Sequence, residues 1–433
     1  MAFFGRSKRT EAAPEPAPAL PEPVRPERVH QRTVAEHRDY LLGAVPSLRP
    51  FGVGLMEVSG LTLCESLSAD LDLPMYTAAL VDGWAVRASN LVGAGPDHPI
   101  ALPVIGAPEL GGSLSAALAP GTTMRVSFGS PVPEGADAVV PGNLAQEIAG
   151  PGGAVDGVRF TSEAAFHQNL YPQGERIADG DPLLYAGTVV TPRMVSMLAE
   201  VGHDKVLARP RPRVVVATIG EELVDPGLPL TRLSQVYDST TVLIAAAARA
   251  EGAQVFPIGI LQDDPARLRS VLNEQLVRAD LILLVAQSSD GLVQALSGLG
   301  TLDTVEVGMW PNGPRLFAKI GPENVPVLVL PEGAIQAYIA YEVFARPLIR
   351  QLGGADPLGA IKSVQAPSLK VLPLDPDHMQ FILAIHSEAG ADALNLQADA
   401  GGLELASANA LIVMEPGQQA QVGDPVTCWL LDG

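Results

Sequence analysis

After the basic, proline-punctuated RPRPR at 209–213, apolar runs and helical stretches take turns, and this alternation constrains the fold more than any other feature. Val214 to Ala217 reads as a strand, Thr240 to Glu251 as a helix, Val255 to Ile260 as a second strand, and Leu281 to Val285 as a third. Between the last two strands, Asp264-Pro265 opens a helix running through Val277. Asp accepts the free amides of a first helical turn, and Pro fits its first position. Strands separated by helices of this length build a mostly parallel sheet covered on both faces, a three-layer α/β domain. Such sheets bind ligands beyond the carboxyl ends of their strands, so the loops at 218–240 and 286–294 are where chemistry is expected.

At 433 residues the chain exceeds one compact core, so the α/β region is expected to be one domain of several. Thr33 and Glu36 have capping-box spacing, and Val34, His37, Leu41 and Leu42 fall near one helical face, so a helix starts the ordered chain. Residues 100–162 are short apolar segments broken by Gly and Pro, the pattern of a small β-rich unit. The segment from Gly353 reads as a further small β domain. Residues 11 to about 29 alternate Pro, Ala and Glu without an apolar period and read as an extended, disordered tail. Ahead of them, Phe3 and Phe4 with Arg6, Lys8 and Arg9 read first as a solvated terminus, and otherwise as a short docking motif or a weak membrane-surface contact.

The formal charge of −20 argues against nucleic acid as a partner, because phosphate backbones require clustered Lys and Arg. An anionic ligand would need a local basic or backbone-amide pocket. No apolar run reaches membrane-spanning length and the opening segment lacks the apolar core of a signal peptide, so the expected compartment is cytoplasmic. Cys64 and Cys428 are too few and too far apart for a disulfide framework or a four-ligand zinc site, and read as buried thiols.

The segments LVDGWAVR at 80–87 and SPVPEGADAVVP at 130–141 are not generic. Together with QGERIADGDPLLYAGTVVTP at 173–192, RPRVVVATIGEELVDPG at 211–227, VYDS at 236–239, YEVFARPLIRQL at 341–352 and SANALIVMEPG at 407–417, they resemble the molybdopterin molybdenumtransferase family, whose fold is shared with the E domain of gephyrin. The resemblance implies a β-rich insertion at 74–162, a linking domain from 33–73 and 163–210, an α/β domain at 211–352 and a C-terminal β domain at 353–433, after a tail at 1–32. It also implies a homodimer, and a reaction inserting molybdate into adenylylated molybdopterin with Mg²⁺ present and AMP released.

On this resemblance, Asp82, Asp137, Glu175 and Asp238 stand at the positions of functional acids, with Asp82, Glu175 and Asp238 the metal-facing ones. Each also has a structural reading: Asp82 and Asp137 in turns, Glu175 in a polar loop, Asp238 as a helix cap. The phosphate-binding motifs depart from the family pattern. Ala286 and Gln287 replace a glycine pair, and Gln294 falls where an acid is expected; Ser289 and Gly291 remain. In WPNGP, Trp310, Asn312 and Gly313 replace Lys, Gly and Lys, with Pro311 and Pro314 retained. In LPEG, Pro331 is retained while Glu332 adds an acid. Phe128 replaces a Thr and Thr240 an Asn; Trp310 and Phe128 in place of polar residues suit a different small-molecule ligand or, the preferred reading, core packing. Arg315 and Lys319, close in sequence to the altered motif, are candidates to restore positive charge. Glycine lets backbone amides approach phosphate closely, so added side chains and acids weaken an anion cradle.

Two functions remain open on the sequence. One is a divergent transferase using Mg²⁺, molybdate and molybdopterin. The other, favoured by the lost phosphate contacts, is a pseudoenzyme without these ligands, a dimeric scaffold binding a protein through a surface groove or the N-terminal tail.

Overall fold

The computed structural model describes residues 30–106, 117–311, 313–394 and 401–431. The tail reading for residues 1–29 and the substitution at Asn312 therefore lie outside the described residues. The chain gathers into two compact units, one of Met1–Phe51, Gly60–Thr62 and Ala208–Gly433, the other of Gly52–Ser59 and Leu63–Leu207.

The first unit is organised by a seven-stranded sheet. Its order is His30–Arg32, Gly300–Val307, Pro314–Ile320, Val325–Leu330, Leu281–Val285, Arg213–Ile219 and Gln254–Leu261. The strand pairs are parallel except where Pro314–Ile320 runs antiparallel to both neighbours. Residues 30–32, counted with the tail in the sequence, instead pair with 305–307 and cover that strand's open edge.

The three layers follow from the period of two along each strand. Val214, Val216, Leu281, Leu283 and Val285 join one buried cluster, completed by Ile244 and Ala248 of the Ser239–Ala250 helix. Val215, Ala217, Ile282 and Leu284 join the other, with Leu268 and Leu272 of Pro265–Gln275 and Leu292 and Leu296 of Asp290–Ser297. These strands are hydrophobic throughout because both faces are covered. Asp264 caps its helix through the Arg267 amide, with Pro265 in the first turn.

The Val34–Ala44 helix carries the expected capping box between Thr33 and Glu36. Beyond a helical run with a π turn at Tyr341–Ala345, a six-stranded sheet forms the C-terminal region. Cys428 is buried there, which pushes its thiol pKa up. Cys64, in the other unit, is half-buried.

The second unit is β-rich. Gly83–Val86 lies between Met124–Val126 and Ala138–Pro141, and a second three-stranded sheet joins Ile100–Pro103, Val155–Phe160 and Ala145–Ala149. Gly83 is required: a Cβ there would run into the Val140 carbonyl. The Pro192–Glu200 helix belongs to the same unit.

Candidate functional site

Strand order locates the crevice. Gln254–Leu261 and Leu281–Val285 flank Arg213–Ile219 on opposite sides, and the helices following the first two of these strands in the chain pack on opposite faces. This is the topological switch point at which open α/β sheets hold ligands, outside the carboxyl ends of Arg213–Ile219 and Leu281–Val285. The loops 220–238, 262–264, 286–289 and 331–333 all leave that edge.

Asp238 sits beneath the edge, only 3% exposed, because it is the N-cap of Ser239–Ala250. Its Oδ1 accepts the Thr241 amide at 2.9 Å and the Thr218 hydroxyl at 3.4 Å, while the Thr218 and Thr241 hydroxyls meet at 2.5 Å. The structural reading of Asp238 therefore has a direct geometric basis.

The loop after Leu281–Val285 gives several polar groups to the chain itself. The Ala286 amide donates to the Leu330 carbonyl and the Ser289 amide to that of Gln287. Ser289 caps Asp290–Ser297 by accepting the Leu292 amide at 3.1 Å, and its hydroxyl donates to Asp263 at 2.8 Å. The Asp263 carboxylate lies so close to Gly291 that a Cβ there would stand 2.6 Å from its Oδ1. Across the neighbouring strand end, Gln287 donates from Nε2 to Glu332 Oε2 at 2.7 Å. Pro331 and Glu332 are half-buried at the end of Val325–Leu330.

The two cations flagged as compensators do not serve the crevice. Arg315 is 2% exposed, with its guanidinium donating to the carbonyls of Pro311 and Gly313 at 2.9 and 3.0 Å and Nε left without a partner. Burial lowers its pKa to about 10. Its bonds hold the carbonyls of Pro311 and Gly313, just ahead of the strand begun by Pro314. Lys319 pairs in register with Pro326, near the opposite end of Val325–Leu330 from the crevice. Arg267, in the first turn of its helix, donates to Gln262 at 2.8 Å.

Trp310 is half-buried against the C-terminal sheet's core, as core packing requires. Phe128 is not: it is 66% exposed in the second unit, and its amide donates to Asp82 Oδ1 at 2.8 Å. The expected packing fails because this residue lies on a turn after Met124–Val126, pointing no ring into either cluster of that unit.

The remaining acids lie in the second unit. Asp82 precedes Gly83–Val86, and Asp137 lies past the far end of the same ladder. About 15 Å of extended chain, at ~3.3 Å per residue, separates the two ends. Asp137 accepts the Ala88 amide at 2.5 Å, and its carbonyl accepts from His167. Glu175 is exposed beside Gly174, which has a φ of +71°. Among the described residues no three His, Cys, Asp or Glu side chains gather as a metal site. Asp82 and Asp137 each accept a backbone amide, and Asp238 caps a helix.

Asp263, Thr218 and Thr241 escaped the sequence reading. Asp263 lies two residues past a strand end, the same signal that marks 286–294, but the neighbouring Asp264-Pro265 carries the stronger local pattern, a helix cap.

A three-layer α/β domain with a crevice at its strand ends defines an open-sheet ligand-binding class. Residues 32–202 match the MoeA N-terminal region (domain I and II), and residues 215–351 a probable molybdopterin binding domain. Molybdopterin molybdenumtransferase 1 of Mycobacterium tuberculosis is 31% identical over 432 residues, covering 91% of this chain and 98% of that protein. Molybdopterin molybdenumtransferase 2 of the same organism is 33% identical over 337 residues, covering 75% and 81%. A crystal structure of the moeA protein from Pyrococcus horikoshii superposes with a TM-score of 0.82 at 22% identity, covering 93% of this chain and 99% of that one. The chain belongs to the molybdopterin molybdenumtransferase family of molybdenum cofactor biosynthesis. No helix among the described residues is long and apolar enough to cross a membrane.

Proposed function

We propose that this protein is a family member that has given up a tight grip on pterin phosphate and acts as a homodimeric, non-catalytic adaptor. The observation that carries the reading is the crevice lip: Asp263 and Glu332 stand there while Arg315 is turned into the core. A charge-assisted contact contributes about 1.5–3 kcal/mol, so replacing several weakens binding by orders of magnitude. The five-part domain division is part of the proposal, supported by family matches that end at 202 and resume at 215. A cavity of about 870 Å³ offers a groove for a protein segment, with Arg32, Arg38, Glu306, His378 and Trp429 in its lining.

The competing reading is a working transferase, favoured by retention of Asp82, Asp137, Glu175 and Asp238. There, Ser289, Gly291, Pro311, Pro314 and Pro331 would line the pterin, and Mg²⁺ would supply charge stabilisation for the leaving AMP. Calorimetric titration with adenylylated molybdopterin separates the two. Absence of micromolar binding, with failure to complement a transferase-null strain, is the expected result. Micromolar affinity or complementation overturns the adaptor reading.

A further inference from the structure

We infer that Gln287, Glu332 and Asp263 form a built-in latch that closes the strand-end crevice to anions, with Glu332 and Asp263 as specificity-determining carboxylates and Gln287 as the residue that positions Glu332. This deepens the proposed function and rests on it.

Three observations meet here. First, Gln287 and Glu332, both read from the family resemblance as altered motif positions, bond to each other at 2.7 Å. The two altered positions are therefore complementary, an amide donor facing a carboxylate acceptor, and the bond joins loops leaving adjacent parallel strands. Second, the Ser289–Asp263 bond joins the loop after Leu281–Val285 to the loop after Gln254–Leu261, passing over the intervening strand Arg213–Ile219. That path crosses the topological switch point. Third, Asp263 lies against Gly291 in the first turn of Asp290–Ser297, so the positive end of that helix already faces a carboxylate of the same chain.

An incoming phosphate would have to displace this carboxylate from the helix end and approach a second one at Glu332. Both bonds lie at the surface, where salt screens like-charge repulsion, so the effect is read at low ionic strength. Gln287 acts through Glu332: its amide fixes where the negative charge sits.

The test is calorimetric titration of the full chain with inorganic pyrophosphate, in Mg²⁺-free, low-salt buffer. Glu332→Gln removes the charge while leaving a side chain able to bond Gln287, and Asp263→Asn does the same at the second tie. The latch predicts that each single variant tightens pyrophosphate binding and that the double variant tightens it by about tenfold or more, the factor corresponding to ~1.4 kcal/mol. Gln287→Ala, which frees Glu332 but keeps its charge, should tighten binding less than Glu332→Gln. Unchanged affinity in the double variant, with an unchanged melting temperature, overturns the latch and leaves the adaptor reading standing. Tight pyrophosphate binding by the unaltered chain overturns the latch and the weak-grip reading together. A double variant that fails to fold hands the decision to Glu332→Gln alone, for which unchanged affinity is again the overturning result.

Discussion

Leu283 and Gln287 are four residues apart, one in the interior of the seven-stranded sheet and the other on its carboxyl edge, and different forces fix them. Leu283 is fully buried among side chains from the sheet and its covering helices. Gln287 is exposed and meets a single carboxylate. The interior is set by apolar burial and packing, which tolerate little change in volume. The edge is set by whatever occupies the crevice, so it can be rewritten without disturbing the fold. On the reading proposed above, fold and grip are separable in this chain. The largest effect expected from this contrast is in the interior: Leu283→Ala should cost about 2–5 kcal/mol in denaturant unfolding. A cost near zero would break the comparison at its stronger half.

A buried histidine gives the next effect. His37, on the Val34–Ala44 helix, is fully buried with Nε2 unpartnered, and its pKa is lowered to about 4 by burial, helped by Arg32 and Arg315 and opposed by Asp303. The folded state thus resists protonating a group that the unfolded chain protonates near pH 6.5. Stability from this group is fully present above pH 6.5 and lost as pH falls toward 4, by up to about 3 kcal/mol. His37→Phe should flatten the stability–pH curve across that window. An unaltered slope would show that His37 is not the group responsible.

Arg315 tests whether a cation near the altered motif belongs to the core or to the crevice. Arg315→Met removes its two hydrogen bonds to the carbonyls of Pro311 and Gly313, and should cost about 1–3 kcal/mol of stability. Pyrophosphate affinity should not move. A loss of affinity without a loss of stability would return Arg315 to the site.

Asp238 sharpens the same division from below the crevice. As a helix N-cap it should lose about 1–2 kcal/mol on Asp238→Ala, but only a few tenths on Asp238→Asn, because Asn caps nearly as well. A transferase activity abolished by Asp238→Asn at unchanged stability would instead make the carboxylate chemical.

These cases show which parts of the molecule could be read from sequence. The strands at 213–219, 254–261 and 281–285 and their helices were legible because hydrophobic period and capping residues are local signals. The strand at 30–32 was not, since three residues carry no period and their partner lies some 270 residues away. Site residue types were legible through motif spacing, but their partners were not. Nothing local announces that Arg315 turns inward, that Phe128 stays exposed, or that Asp263 reaches Ser289 over a strand.

The smallest effect belongs to Gln287, and its smallness is informative. The bond to Glu332 is exposed, where a side-chain contact contributes little net stability. Gln287→Ala should therefore leave unfolding free energy within about 0.5 kcal/mol of the starting value. If the edge were instead part of the folding core, the same substitution would destabilise the protein as interior truncations do. A near-neutral stability together with a measurable rise in pyrophosphate affinity would show that this residue is held by the crevice alone. The pair Leu283→Ala and Gln287→Ala then reads as opposite outcomes on one strand and its loop: stability lost with no gain in binding, and binding gained with no loss of stability.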